Sequence, residues 1–226
     1  SHEGILILKN DIPVGTPCSK VFDIFEDYVF DIGLTPNRTD AMSHMGVARD
    51  LKASFIQNNI EHQWKNTNIE VFPSGSNTKK IEVQVDNPDV SPRYFGVTLT
   101  NIKIGPSPSW IQNSLKSIGI LPKNNVVDIT NYVLHDIGQP IHSFDADKIK
   151  GKITVKTLEN KSKFKTLDGS ILTLSSEDLM ICDEEKPLCL AGIYGGELSG
   201  VSDATTSIFL ESAYFDSVSI RKSAKR

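Results

Sequence analysis

The apolar and polar positions divide the chain into four stretches of different rhythm. From Ile5 to Ile32, short apolar runs are broken by Pro13-Val14-Gly15 and Pro17, a pattern that predicts strands and turns. Residues 1–34 therefore read as the remnant of a preceding strand-rich domain. Thr35-Pro36-Asn37-Arg38-Thr39-Asp40 is a turn ending in two candidate N-caps. Ala41, Met45, Ala48, Leu51 and Phe55 then recur every three or four residues, as on one face of a helix. This places a helical segment at 35–66. Residues 67–80 are polar and contain Pro73-Ser74-Gly75-Ser76-Asn77, which predicts a linker.

The fourth stretch, 81–226, opens with alternation. Ile81, Val83 and Val85, then Phe95, Val97 and Leu99, predict half-buried strands. Ser107-Pro108 predicts a helix start with proline at the first helical position, where its missing N–H costs nothing. Ile111, Leu115 and Ile118 would line its buried face and Gly119 would close it. A second helix is expected from about Asp128, with Ile129, Val133 and Ile137 inward and Gly138 at its end. Strands follow Gly151. Asp168-Gly169 between Phe164–Leu167 and Ile171–Leu174 is a hairpin signal. Leu179–Cys182 and Leu188–Ile193 flank a second hairpin, and Ile208–Glu211 is a further strand. Strands with a few segregated helices predict an α+β fold. It is expected to be a β-rich module with a mixed or antiparallel sheet and flanking helices, preceded by the small helical segment.

Composition narrows the function. The net charge of −4 argues against binding nucleic acid by bulk electrostatics, so such a role needs a local basic patch or a partner. Cys18, Cys182 and Cys189 lack metal or redox spacing, and buried reduced thiols in a cytoplasmic protein are expected. No apolar run approaches the roughly 20 residues that span a bilayer. No signal peptide is apparent. Neither Ser1-His2 nor Lys225-Arg226 carries a cap or turn signal, so both ends read as cuts in a longer protein.

Three segments could carry chemistry. Thr130 and Asn131 in Val126–Tyr132 would sit in the first turn of a helix, where unpaired N–H groups favour an anion or oxyanion. The bland alternative is that Asp128 caps and the rest is polar filler. In Gly138-Gln139-Pro140-Ile141-His142-Ser143-Phe144-Asp145, Pro140 would brace a loop and present His142 in one orientation, able to position water or move a proton. No nucleophile pairs with His142 by motif, and a histidine bonded to a backbone carbonyl competes with this reading. His44 and His135, on predicted helices, are taken as structural. Leu190 to Gly200 holds four glycines after an apolar strand, which allows close backbone approach to a ligand but matches no phosphate or dinucleotide loop. Glu211 lies in an apolar strand, where it must face solvent or find a partner, and alternation allows the former.

These segments together resemble the beta subunit of bacterial phenylalanine–tRNA ligase. The similarity runs in order through Gly33–Asp40, Asn125–Tyr132, Gly138–Asp145, Lys165–Gly169, Leu190–Gly196 and Ser219–Lys222, nearly the whole chain. It implies the central editing module of a subunit that pairs with an alpha subunit as a heterotetramer. That module would hydrolyse tyrosine wrongly attached to phenylalanine tRNA, while ATP and magnesium would serve the whole synthetase and no cofactor would sit in this part. The resemblance gives Thr130, Asn131 and His142 to the aminoacyl group and its attacking water. It gives Glu211 and the backbone near Gly192 to the phenol hydroxyl, and Pro140 and Ala213 to the pocket wall. Leu121 replaces an arginine usual in the family. Arg221, Lys222, Lys225 and Arg226 form a candidate tRNA-contacting cluster, to which Lys161, Lys163 and Lys165 could add. The alternatives are a non-catalytic tRNA-binding or subunit-docking module, and a free-standing esterase.

Overall fold

The computed structural model describes residues 4, 7–8, 11–22, 24–65 and 79–225. The predicted linker thus falls almost wholly outside the described residues, as does Arg226. The chain separates into two compact units, Ser1–Asp31 and Ile32–Arg226. The described part of the first holds one short helix, α1 (Cys18–Val21), and no strand, contrary to expectation. Pro17 caps it, Phe22 beyond it is already extended, and Cys18 is exposed rather than buried.

The second unit begins with a 3-10 turn, Thr39–Ala41, and α2 (His44–Gln57). The N-cap is Ser43, whose hydroxyl accepts from the Gly46 N–H, so neither Thr39 nor Asp40 caps the helix. Arg38 bridges Asp40 and Asp50 and ties the turn to the helix. Ala41 is buried, but Leu51 on the expected apolar face is half exposed.

The rest is a mixed α+β arrangement. A five-stranded sheet has the order β1 (Val83–Val85), β4 (Ile153–Thr157), β7 (Leu179–Cys182), β8 (Pro187–Leu190), β9 (Tyr194–Gly195). Only β1 and β4 run parallel. A three-stranded antiparallel sheet sets β10 (Ile208–Tyr214) between β2 (Arg93–Leu99) and β3 (Ile141–Asp145). β5 (Lys163–Lys165) and β6 (Ile171–Thr173) form the predicted hairpin, with Gly169 at φ +84° in its turn.

The main core lies between the two larger sheets: Phe144 and Phe209 meet Ile153, Val155, Leu179, Ile181 and Leu188. A second core, with Phe164, Leu174, Met180, Cys182 and Leu190, packs on the other face of β7 and β8. Alternate β7 residues thus enter different cores, which is why Leu-Met-Ile-Cys reads as an unbroken apolar run.

The expected phase of β2 is reversed. Phe95 is 65% exposed and Val97 is exposed as well, whereas Tyr94 packs on the main core. Gly96 explains the phase, because the Phe209 ring fills the space a side chain there would need.

The helices also shift from expectation. α3 (Ser109–Ser117) starts one residue after Pro108, which is its N-cap, and buries Ile111 and Leu115 but not Ile118. α4 (Asn125–Ile137) starts three residues before Asp128, with Asn124 as N-cap accepting from the Val127 N–H. Its buried positions are Val126 and Asp128, while Ile129 and Ile137 are about half exposed. Asp128 is not a cap. Its carboxylate accepts from the Ser107 hydroxyl at 2.6 Å and the Lys123 N–H at 2.8 Å, joining the lead-ins of α3 and α4. The chain closes with α5 (Ser217–Ala224), capped by Asp216.

Candidate functional site

His142 lies on β3, not in a loop, and Glu211 lies on β10. They are direct cross-strand partners, so their side chains leave the sheet on the same face. That face carries Phe144 and Phe209 into the main core, and further along it the packing opens into a cleft of about 1000 Å³. His142, Glu211, Pro140, Ala213 and Gly192 all line it. These are the five pocket residues that the family resemblance implies, and the fold brings them together from segments far apart in the chain.

Glu211 is 5% exposed. The Tyr94 hydroxyl donates to its Oε2 at 2.8 Å, and among the described residues it has no other hydrogen-bond partner. The carboxyl is pushed up to about 7, because burial penalises the anion more than the Tyr94 hydrogen bond favours it. Burial beside this carboxylate raises the Tyr94 phenol well above its ordinary range, and the Cys189 thiol likewise. The His142 ring stands edge-on to Phe144, 4.6 Å between centroids. Burial lowers its pKa to about 4, so it is neutral at neutral pH.

The wall opposite comes from the glycine-rich segment. Gly192 adopts φ +67°, a conformation that side chains resist, and its neighbours there are Phe215 and Ile220. Gly195 approaches the His142 ring, and Tyr194 lines the cleft beside it. From α5, Arg221, Lys222 and Lys225 line the same cleft, a basic wall on a chain of net negative charge. Lys165 instead pairs with Glu197, and Lys163 donates to the Thr173 hydroxyl.

Thr130 and Asn131 are not among the lining residues. Because α4 begins at Asn125, both fall in its second turn, where N–H groups are inside the helical ladder. The N–H groups of its true first turn are occupied: Asn125 donates to the Gly105 carbonyl, and the side chains of Asn125 and Asn124 accept from Val126 and Val127. The Thr130 hydroxyl donates to the Val127 carbonyl at 2.7 Å. The first-turn N–H groups of α4 are therefore already paired.

Sequence reasoning missed other members of the cleft. Pro36 and Thr39 line it, from a segment whose sequence signals only a turn and helix caps, as do Cys189 and the apolar Phe215, Val218 and Ile220. Tyr94, behind Glu211, was hidden by its more apolar neighbour Phe95. Asp145, which closes the His142 segment, is a structural residue. It accepts from the Thr205 hydroxyl and the Asp147 N–H.

Fold and cleft together define a mixed-sheet α+β domain with an acid-floored, glycine-walled recess lined from both of its larger sheets. The chain belongs to the B3/4 domain family, matched over residues 90–226. Along its whole length it is 46% identical to the phenylalanine–tRNA ligase beta subunit of Bacteroides fragilis, 45% to that of Porphyromonas gingivalis and 40% to that of Carboxydothermus hydrogenoformans. It spans 28% of the length of each. An N-terminal fragment of the phenylalanyl-tRNA synthetase beta subunit from Pyrococcus horikoshii superposes with a TM-score of 0.46 at 19% identity, over 81% of this chain and 54% of that one. Among the described residues no helix is long and apolar enough to cross a membrane.

Proposed function

We propose that this chain is the proofreading part of a phenylalanine–tRNA ligase beta subunit, and that it hydrolyses tyrosine wrongly esterified to phenylalanine tRNA. The observation that carries this reading is Glu211, a buried carboxylate in a largely apolar cleft with one oxygen that has no partner among the described residues. An apolar pocket built for phenylalanine rejects tyrosine by only about 100-fold, because the added hydroxyl costs little there. A site built around an acceptor for that hydroxyl discriminates the other way by about 10⁴, since phenylalanine leaves the acceptor unpaired. Glu211 supplies the acceptor, and Pro140, Ala213 and the backbone at Gly192 enclose the ring.

Water adds to the ester carbonyl carbon, the bond to the ribose oxygen breaks, and that oxygen takes the proton. His142, uncharged at neutral pH and weakly basic, orients the water by accepting one of its hydrogens. No covalent enzyme intermediate forms in this mechanism. Thr130 and Asn131 have no part in this proposal. Arg221, Lys222 and Lys225 meet the phosphates near the acceptor end of the tRNA. In the whole enzyme an alpha subunit completes a cytoplasmic heterotetramer, whose synthetic site, outside this chain, uses ATP and magnesium.

The test is deacylation of tyrosyl-tRNA by the full-length enzyme. His142→Ala and Glu211→Ala should each lose about 100-fold or more while phenylalanine charging continues. Normal hydrolysis by both variants would remove the assignment. The basic wall on α5 supports a second reading, a tRNA-binding module without chemistry, for which salt-dependent binding with no deacylation is the signature.

A further inference from the structure

Glu211 meets tyrosine chemistry from two sides. Tyr94 enters from β2, behind the carboxylate, and does not line the cleft, whereas Glu211 itself does. An isolated buried carboxylate has two equivalent oxygens and swings freely between donors. Here Oε2 is committed to the Tyr94 hydroxyl at 2.8 Å. We propose that Tyr94 is a positioning residue for Glu211, holding one carboxylate oxygen so that the other alone is offered to a hydroxyl donor in the cleft. This rests on the editing reading above and deepens it, because it explains how one carboxylate is kept as a directed acceptor.

Other titratable groups share the cleft with the carboxylate. Cys189 comes from β8 and His142 from β3, and Arg221, Lys222, Lys225, Tyr194 and Tyr214 line the same cleft. Cys189 and Tyr94 interact electrostatically with Glu211, but among the described residues only Tyr94 forms a hydrogen bond with it. That bond favours the anion against burial. A protonated Glu211 would carry its own donor and would no longer demand a hydroxyl from the ligand. Tyr94 thus maintains both the direction and the acceptor character of the group.

The test uses the full-length enzyme with its partner subunit, comparing wild type with Tyr94→Phe. Hydrolysis of tyrosyl-tRNA and phenylalanyl-tRNA is followed across pH, and the Glu211 carboxyl is titrated by isotope-edited infrared spectroscopy. Loss of the bond should lower the tyrosyl-over-phenylalanyl preference about tenfold and move the pH midpoint upward by about one unit, as expected for one hydrogen bond to a charged group. Tyr94→3-fluorotyrosine, nearly the same size but a stronger donor, should move the midpoint the opposite way, which a merely structural role would not do. A Tyr94→Phe profile and preference superimposable on wild type would overturn the proposal. If wild type fails to hydrolyse tyrosyl-tRNA, the editing reading falls, and the carboxyl titration decides by itself whether Tyr94 holds Glu211.

Discussion

The backbone of Gly195 lies against the imidazole of His142, so close that a Cβ at position 195 would come within 3.0 Å of Cε1 and 3.3 Å of Nε2. The ring is held between this backbone and the edge contact with Phe144. Gly195→Ala would also bring its methyl to 2.7 Å from a Leu167 terminal carbon, but Leu167 is largely exposed and can swing away. The imidazole must therefore shift by a few tenths of an ångström. The expected result is a drop of about tenfold or more in tyrosyl-tRNA hydrolysis, because small misplacements of a positioning group cost that much. Thermal unfolding should change little.

Glu211 makes the fold less stable as the pH rises. Its folded-state pKa of about 7 lies above the ordinary 4.5, so the folded state holds the proton more tightly than the unfolded state. Stability falls between those two values and levels off above them. Glu211→Gln removes that loss and keeps an acceptor for the Tyr94 hydroxyl. The variant should match wild type near pH 4 and exceed it by roughly 3 kcal/mol above pH 7, measured by urea unfolding across pH.

His142 has the opposite sign. Its folded-state pKa of about 4 lies below the ordinary 6.5, so stability is lost as the pH falls through that interval. The two slopes oppose each other in wild type. In Glu211→Gln the histidine slope stands alone, and stability should rise steadily from pH 4 to pH 6.5. A flat profile there would contradict the burial of His142.

Gly96→Ala is expected to destabilise by about 3 kcal/mol, at the upper end for overpacking, because its methyl would enter the Phe209 ring, which is 1% exposed and has no room to retreat. Chemical denaturation measures this directly. The substitution should also disturb Glu211, the cross-strand partner of Gly96.

Asp128→Ala leaves the Ser107 hydroxyl and the Lys123 N–H without their acceptor in a place that is 1% exposed. A loss of about 3 kcal/mol is expected. Adding Ser107→Ala should recover part of it, since one of the stranded donors is then gone. Additive losses in urea unfolding would argue against the shared network.

The α+β class, the hairpin at Asp168-Gly169 and the grouping of Pro140, His142, Gly192, Glu211 and Ala213 were legible in the sequence, the last through family resemblance rather than periodicity. What alternation could not convey was phase. Phe95 and Val97 are the more apolar side of β2, yet Tyr94 and Gly96 face the core, because the Phe209 ring on the neighbouring strand needs the space above a glycine. Glu211 was free to face solvent by its own strand's pattern, and its burial follows from sharing the core-facing side of β10 with Phe209, with Tyr94 against it. The start of α4 lies earlier than the cap-like Asp128 suggests, because two asparagines before it, Asn124 and Asn125, take the first-turn donors. Thr130 and Asn131 therefore lie beyond the first turn that a start at Asp128 would give them.

β7 is shared property. Leu179 and Ile181 belong to one apolar assembly, and Met180 and Cys182 to the other. Neither assembly can come apart without stripping the strand that the other rests on, so this unit should melt in a single step. The amide protons of Met180 and Ile181 should be among the last to exchange with deuterated solvent, released only when everything around them has opened.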